Sequence, residues 1–261
     1  MTSYVIELHA AEDAVDLLLA DLMEAGTTGV SEERVATGYL LRASFDNPEA
    51  ASAFGVPVHE DSTDWIAATH RPWNSRWVGE KFFLVSPDST EETPPGRWRI
   101  PYQQGAACGS GEHPSTRHAL VALEEFVTPG MRVLDLGCGA GLLSLGAKLL
   151  GAAFVVGVDI EADSCSLTKQ LAQVPTVQGS TDSLRGAFDV VAANIGATVL
   201  AHLADDILAL AKPGGRIILA GFGTEEAARL CEIYAAGKIS QREEGEWAAL
   251  VLDLPNDAGA Y

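Results

Sequence analysis

From residue 114 onwards the chain alternates strictly between apolar runs and helical patterns, and nothing else in the sequence restricts the fold as much. A helix spans 115–127 and leads into the strand "RVLDL". A helix over 141–150 is followed by the strand "AFVVGVD" (153–159) and a helix over 161–172. A short strand near "TVQG" comes next. The strand "FDVVAAN" (188–194) precedes a helix over 197–211, and the strand "GRIILAG" (215–221) precedes a helix over 224–236. The apolar residues in these strands occupy consecutive positions, so both faces are covered. That is the pattern of a mostly parallel sheet with helices on either side. Two late strands, "KISQRE" and "WAALVLDL", are close enough in sequence to pair antiparallel at one edge.

A smaller α/β unit precedes this domain. "YVIEL" (4–8) alternates like a strand. "AEDAVDLLLADLMEAG" (11–26) carries Val15, Leu18, Leu19 and Leu22 at helical spacing, with Gly26 as its stop. "GVSEE" and "ATGYLLRASF" (36–45) read as further strands. "DNPEAASAF" (46–54) begins a short helix, with Asp46 or Asn47 as cap and Pro48 in its first turn. The expected division is a small domain over 1–58, a linker helix over 59–70, a large domain over 71–254 and a frayed tail over 255–261. "DWIAATHRPWNSRW" (64–77) holds three of the five tryptophans and is read as the connecting helix with the segment that follows it. "KFFLVSP" (81–87) and "RWRIPY" (97–102) are two more strands, joined by a polar loop.

Composition narrows the partners. A formal net charge of −19 over 261 residues repels phosphate backbones and anionic lipid. Direct nucleic-acid binding and membrane binding are therefore not expected, and a basic protein is a compatible partner. The same charge also serves solubility alone. Cys108, Cys138, Cys165 and Cys231 are widely spaced, without a C-x-x-C or a Cys/His cluster. They read as reduced thiols of a cytoplasmic protein, and no metal site is expected. The first residues lack the basic start and apolar core of a signal peptide, and no run is long enough to span a membrane.

The chemistry is concentrated in "VLDLGCGAGLLSLGAKLLG" (133–151). An apolar strand ends at the acid Asp135, and Gly137, Gly139 and Gly141 follow at every second position before a helix begins. In open α/β sheets ligands lie beyond the carboxyl ends of the strands, where glycines admit close approach of the main chain. A dinucleotide fingerprint would need its third glycine at 142, which is Leu142. The spacing D-x-G-x-G-x-G resembles motif I of the class I S-adenosylmethionine-dependent methyltransferases. Asp159, ending the second strand in "GVDI", is the acid that accepts both ribose hydroxyls in that reading. "GSTDSL" (179–184) falls where such enzymes meet adenine. Asp182 is either an acceptor from the adenine amino group or a solvated turn residue.

Three further segments sharpen the resemblance. "GAACGSGEHPST" (105–116) is similar to the F-G-T-G-x-H-x-T-T signature of the ribosomal protein L-eleven methyltransferases. "FDVVAANIGA" (188–197) resembles their strand-four motif ending in N-I-L-A. "DWIAATHRPWNSRWVGEKF" (64–82) resembles their linker. The departures are Cys108 for Phe, Ser110 and Ser115 for Thr, Thr69 for a Trp, and Gly196 for Leu. The resemblance implies a Rossmann-like domain with a mostly parallel seven-stranded sheet behind a small ferredoxin-like domain. It implies an S-adenosylmethionine-dependent protein N-methyltransferase acting on lysine or α-amino groups of a basic ribosomal protein. Two alternatives stay open: an enzyme of the same fold with another protein or small amine as acceptor, and a catalytically silent cofactor-binding module.

Family cofactor contacts carry over to Thr116, Gly137, Asp159 and Asn194. Cys138, Gly139 and Gly141 complete the loop, and Ile160 follows the ribose acid. Asn194 is also the candidate that accepts from the attacking amine. His113 is either a proton-transfer group or a loop organiser. The chemistry asks mainly for a neutral amine held in line with the C–S bond, which an apolar channel favours by desolvation. Trp73 and Trp77 are candidates for lining such a channel, or for plain packing.

Overall fold

Because the strands are apolar on both faces, the sheet they form divides the large unit into two cores. The computed structural model describes residues 3–11, 14–35, 38–61, 75–102 and 113–256. It divides into two compact units, residues 1–71 and 72–261.

The first unit runs β1 (Ser3–Ala10), α1 (Val15–Glu24), β2 (Gly29–Val35), β3 (Gly38–Phe45), α2 (Pro48–Ser52) and β4 (Val58–Asp61). Its sheet has the order β2-β3-β1-β4, with all pairs antiparallel. This is the expected ferredoxin-like arrangement. Ile6, Leu22, Leu41 and Phe45 are buried in its core. The Asn47 side chain accepts from the Ala50 N–H and caps α2, which chooses it over Asp46. The strand β4 extends the unit past the expected boundary at 58. The rest of the expected linker, with Thr69, lies outside the described residues, as does Trp73 just after it.

In the second unit β5 (Arg76–Val78), β6 (Phe82–Val85) and β7 (Trp98–Pro101) form a small sheet in that order. β5 is hidden in the tryptophan-rich segment and is not apparent from the sequence. Trp77 is 63% exposed, and the Arg97 guanidinium lies 4.2 Å from its ring centroid. It lines no channel among the described residues.

The main sheet contains β8 (Arg132–Leu136), β9 (Phe154–Asp159), β10 (Thr176–Gln178), β11 (Phe188–Asn194), β12 (Ala211–Gly223), β13 (Lys238–Glu244) and β14 (Trp247–Asp253). Their order is β10-β9-β8-β11-β12-β14-β13. The first five strands are parallel, and β14 pairs antiparallel with both β12 and β13. Six helices accompany them among the described residues: α3 (Pro114–Phe126), α4 (Leu142–Leu149), α5 (Ala162–Ala172), α6 (Ala197–His202), α7 (Ala204–Leu210) and α8 (Thr224–Ile233). Successive strand residues divide between the faces. Val133, Val190 and Ile218 pack with α3 and α4, whereas Leu134, Val191 and Leu219 pack with α6, α7 and α8.

Two expected elements differ. The helix expected over 197–211 is divided at Leu203, whose φ of −95° and ψ of 10° leave the helical range. The last helix stops at Ile233, because Tyr234 turns into the core and its hydroxyl donates to the Leu200 carbonyl at 2.8 Å.

Candidate functional site

The strand order reverses between β8 and β11, and the site is built at that switch point. Ala193 pairs with Leu136, so Gly137 and Asn194 leave the sheet side by side. The loop after β8 is held to β9 by main-chain bonds from the Gly137 and Cys138 N–H groups to the Val158 carbonyl, at 2.8 and 3.0 Å. Asp159 completes the fastening. Its Oδ2 accepts from the Gly139 N–H at 2.9 Å, and its Oδ1 accepts from the Glu161 N–H at 3.0 Å.

Two of the glycines are explained by the protein itself. Gly137 has a φ of +72°, and a Cβ there would lie 2.2 Å from Ile195 Cγ2. Gly141 has a φ of +85°, and its Cβ would meet the Thr168 Cα at 2.8 Å. The left-handed backbone and the close approach of a neighbour both demand glycine at these positions. From α5, Thr168 Oγ1 also donates to the Gly139 carbonyl at 3.0 Å, so the loop is braced from below.

The resulting crevice encloses about 1110 Å³. Of the residues singled out from the sequence, Thr116, Gly137, Cys138, Gly139, Asp159, Ile160, Asn194 and His113 line it. Gly141 is not among the lining residues; it makes the helix contact described above. Asp182 is not among them either. It lies exposed on a 3-10 turn over Thr181–Ser183, and Gly179 and Ser180 line the wall there instead. Cys108 and Ser110 fall outside the described residues. Cys138 is buried, and burial pushes its thiol pKa up, which keeps it protonated.

Three features of the crevice bear on its chemistry. First, the Asn194 amide nitrogen donates to Thr116 Oγ1 at 3.2 Å, which leaves the amide oxygen for a donor in the crevice. Second, His113 caps α3. Its Nδ1 accepts from the Ser115 N–H at 3.4 Å and lies 2.7 Å from Ser115 Oγ. Its ring packs edge-on to Trp247, with centroids 4.0 Å apart. Burial, aided by the Arg117 charge, lowers its pKa and favours the neutral ring. Nδ1 is engaged in the cap of α3. Third, Asp135 is 1% exposed beneath the loop, and its Oδ2 accepts from Ser144 Oγ at 2.6 Å. Oδ1 is buried without a partner among the described residues. Burial pushes the Asp135 carboxyl up to about 6; the Ser144 hydrogen bond opposes this, and the Asp159 charge adds to it.

In the sequence Asp135 is marked only as the acid that opens the glycine motif, and Trp247 and Ser144 are not marked at all. An acid in an otherwise apolar buried strand was the available signal for Asp135. Trp247 lies more than a hundred residues from the glycine loop, and only the β12–β14 pairing brings it to the crevice.

A family model described as ribosomal protein L11 methyltransferase (PrmA) matches residues 42–254. The chain is 34% identical over 285 aligned residues to the ribosomal protein L11 methyltransferase of Ralstonia pickettii strain 12J, covering 90% of this chain and 93% of that one. The chain belongs to the ribosomal protein L11 methyltransferase family. A second relative, the enzyme of that name from Paraburkholderia xenovorans strain LB400, is 35% identical over 72% of this chain and 63% of its own length. Among solved structures, a ribosomal protein L11 methylase from Lactobacillus delbrueckii subsp. bulgaricus superposes with a TM-score of 0.66 at 22% identity. The match covers 70% of this chain and all of that one, and it establishes the shared fold. The crevice has the glycine loop on one side and Asn194 on the other. Among the described residues no group suited to a metal ion occurs, and no helix is long and apolar enough to cross a membrane.

Proposed function

We propose that the protein transfers methyl groups from S-adenosylmethionine to amino groups of ribosomal protein L11. The observation that carries this reading is one crevice at the switch point. In it the glycine loop is clipped to Asp159, and Asn194 is oriented by Thr116 across from it.

The residues suit the cofactor. The unpartnered Asp135 Oδ1 is a buried anionic hydrogen-bond acceptor on a residue that lines the crevice, complementary to the α-ammonium of a methionine tail. Asp159 retains lone pairs beyond its two main-chain bonds, and these suit two ribose hydroxyls. Ile160, 72% exposed and next in sequence, offers an apolar face to a purine. S-adenosylmethionine supplies an electrophilic methyl on a sulfonium, so no strong base is required of the protein. The remaining work is positional. Asn194 accepts from the incoming amine through its side-chain oxygen and aligns it. The apolar walls favour the neutral amine, which in water has a pKa of roughly 10.4 for lysine. The surplus of acidic residues, with a net charge of −19, suits a basic substrate.

The test is incubation with labelled S-adenosylmethionine and recombinant L11, followed by peptide mass mapping. Label on lysine or α-amino nitrogens is the expected outcome. Transfer only to some other acceptor sinks the substrate assignment. Cofactor binding without transfer identifies the silent module.

A further inference from the structure

The two oxygens of the buried Asp135 carboxyl are held differently. Oδ2 accepts from the Ser144 hydroxyl at 2.6 Å, and Oδ1 has no partner among the described residues. Ser144 is itself fully buried, in the first turn of α4 between Leu143 and Leu145. Alanine is the better helix former, and a buried hydroxyl costs free energy unless it is hydrogen-bonded. The donation to Asp135 is what offsets that cost. The neighbouring strands place only Gly157 and Ala192 beside Asp135. No lysine or arginine is among the described residues that line the crevice. The titratable groups that line it with Asp135 are Asp159 and Glu161 from the end of β9, Cys138 in the glycine loop, His113 ahead of α3 and Tyr102 after β7. Two of these are acids. Burial keeps the Cys138 thiol protonated and favours the neutral His113 ring. Among these groups Asp135 meets no cation of the protein's own, so the complementary charge has to arrive with the ligand.

We infer that Ser144 is a positioning residue of the cofactor site: its hydroxyl holds Asp135 as a carboxylate by one oxygen and keeps the other for the α-ammonium of the methionine tail. This rests on the S-adenosylmethionine reading. In the unliganded protein burial pushes the Asp135 carboxyl up to about 6, with Ser144 opposing the rise and the Asp159 charge adding to it. An ammonium binds the ionised form, and any proton the carboxyl still holds passes to solvent. Affinity for a ligand with the ammonium therefore rises with pH through about 6 and levels off above it. Without the Ser144 hydroxyl the ionised form loses a charge-assisted hydrogen bond. The inflexion then moves up by about one to two pH units.

The experiment titrates two compounds by calorimetry from pH 5 to 8: S-adenosylhomocysteine, and 5′-methylthioadenosine, which lacks the amino-acid end. The proteins are wild type, Ser144→Ala, Ser144→Thr and Asp135→Asn. Wild type should bind S-adenosylhomocysteine about tenfold more weakly at pH 5 than at pH 7, while methylthioadenosine shows no such change. Ser144→Ala should weaken S-adenosylhomocysteine about 3- to 10-fold at pH 7 and shift its profile upward, leaving methylthioadenosine within about twofold. Ser144→Thr retains the hydroxyl and should keep the wild-type profile. If it no longer binds methylthioadenosine its fold is disturbed, and Ser144→Ala decides alone. Asp135→Asn should abolish the pH dependence; a profile that survives there belongs to another group and overturns the inference. Ser144→Ala weakening both compounds alike, or moving neither the affinity nor the profile, also overturns it and leaves the methyltransferase reading intact. Failure of wild type to bind either compound overturns the functional reading, and this inference with it.

Discussion

Gly137→Ala isolates the physical reason for the glycine loop. At a φ of +72° the added Cβ incurs the left-handed penalty of about 1–2 kcal/mol. It would also lie 2.2 Å from Ile195 Cγ2, far inside contact distance, so Ile195 or the loop must move. Overpacking of that kind costs about 1–3 kcal/mol. Against these stands the smaller unfolded-state entropy of alanine, worth about 0.4–1 kcal/mol in the opposite sense. The net expected destabilisation is about 1–5 kcal/mol, summing these three contributions. Urea unfolding measures it, read as a shift in midpoint at constant slope. A double-mutant cycle with Ile195→Ala separates the parts, because that change removes Cγ2 and leaves the backbone penalty. The double variant should be less destabilised than the sum of the singles by about 1–3 kcal/mol, the overpacking share. Additivity within about 0.5 kcal/mol would refute the steric argument. A cost near zero for Gly137→Ala would refute both parts of it.

Asp159→Asn keeps one acceptor oxygen but loses the charge, and calorimetry should find S-adenosylhomocysteine binding weakened about 10- to 100-fold, the value of a charge-assisted hydrogen bond. Asn194→Ala should lower kcat about 100-fold or more while leaving that binding within a few-fold, as measured by single-turnover transfer alongside titration. For Asp135, the folded carboxyl titrates near 6, above its ordinary value of 3.8, so the folded state holds the proton more tightly. Its contribution to stability is complete below about 4 and is lost as the pH rises through about 6, a loss of about 3 kcal/mol at most. Asp135→Asn should remove this slope, so urea unfolding from pH 4 to 7 should show the unliganded wild type losing stability relative to the variant.

Much of the fold could be read from the sequence because it is written in burial. Non-alternating runs such as "VVGV" in β9 require cover on both faces, and the structure supplies it. The short β5 could not be read, because its three residues carry no period and gain their place only by pairing with β6. Leu203 reads as mid-helix from composition, yet it turns to line the crevice. In the site, residues adjacent in sequence to the glycine loop or to a strand end were identifiable, as for Asp159 and Asn194. The reason for Gly141 was not, since the α5 residue it accommodates lies 27 positions away. For Asp182 the sequence leaves an adenine acceptor and a solvated turn residue equally open, and only the 3-10 turn shows it exposed, outside the set of residues that line the wall. Trp247 comes from the far edge of the chain, and nothing local marks it.

In the proposed function the 137–141 loop, the Asp135 and Asp159 carboxylates and Asn194 together hold an adenosyl sulfonium. Isothermal titration of the purified chain with S-adenosylhomocysteine tests it most directly. The account predicts saturable binding at one site per chain, weakened in Asp159→Asn. No heat of binding in wild type, or binding of a nicotinamide dinucleotide in place of the adenosyl compound, would contradict it.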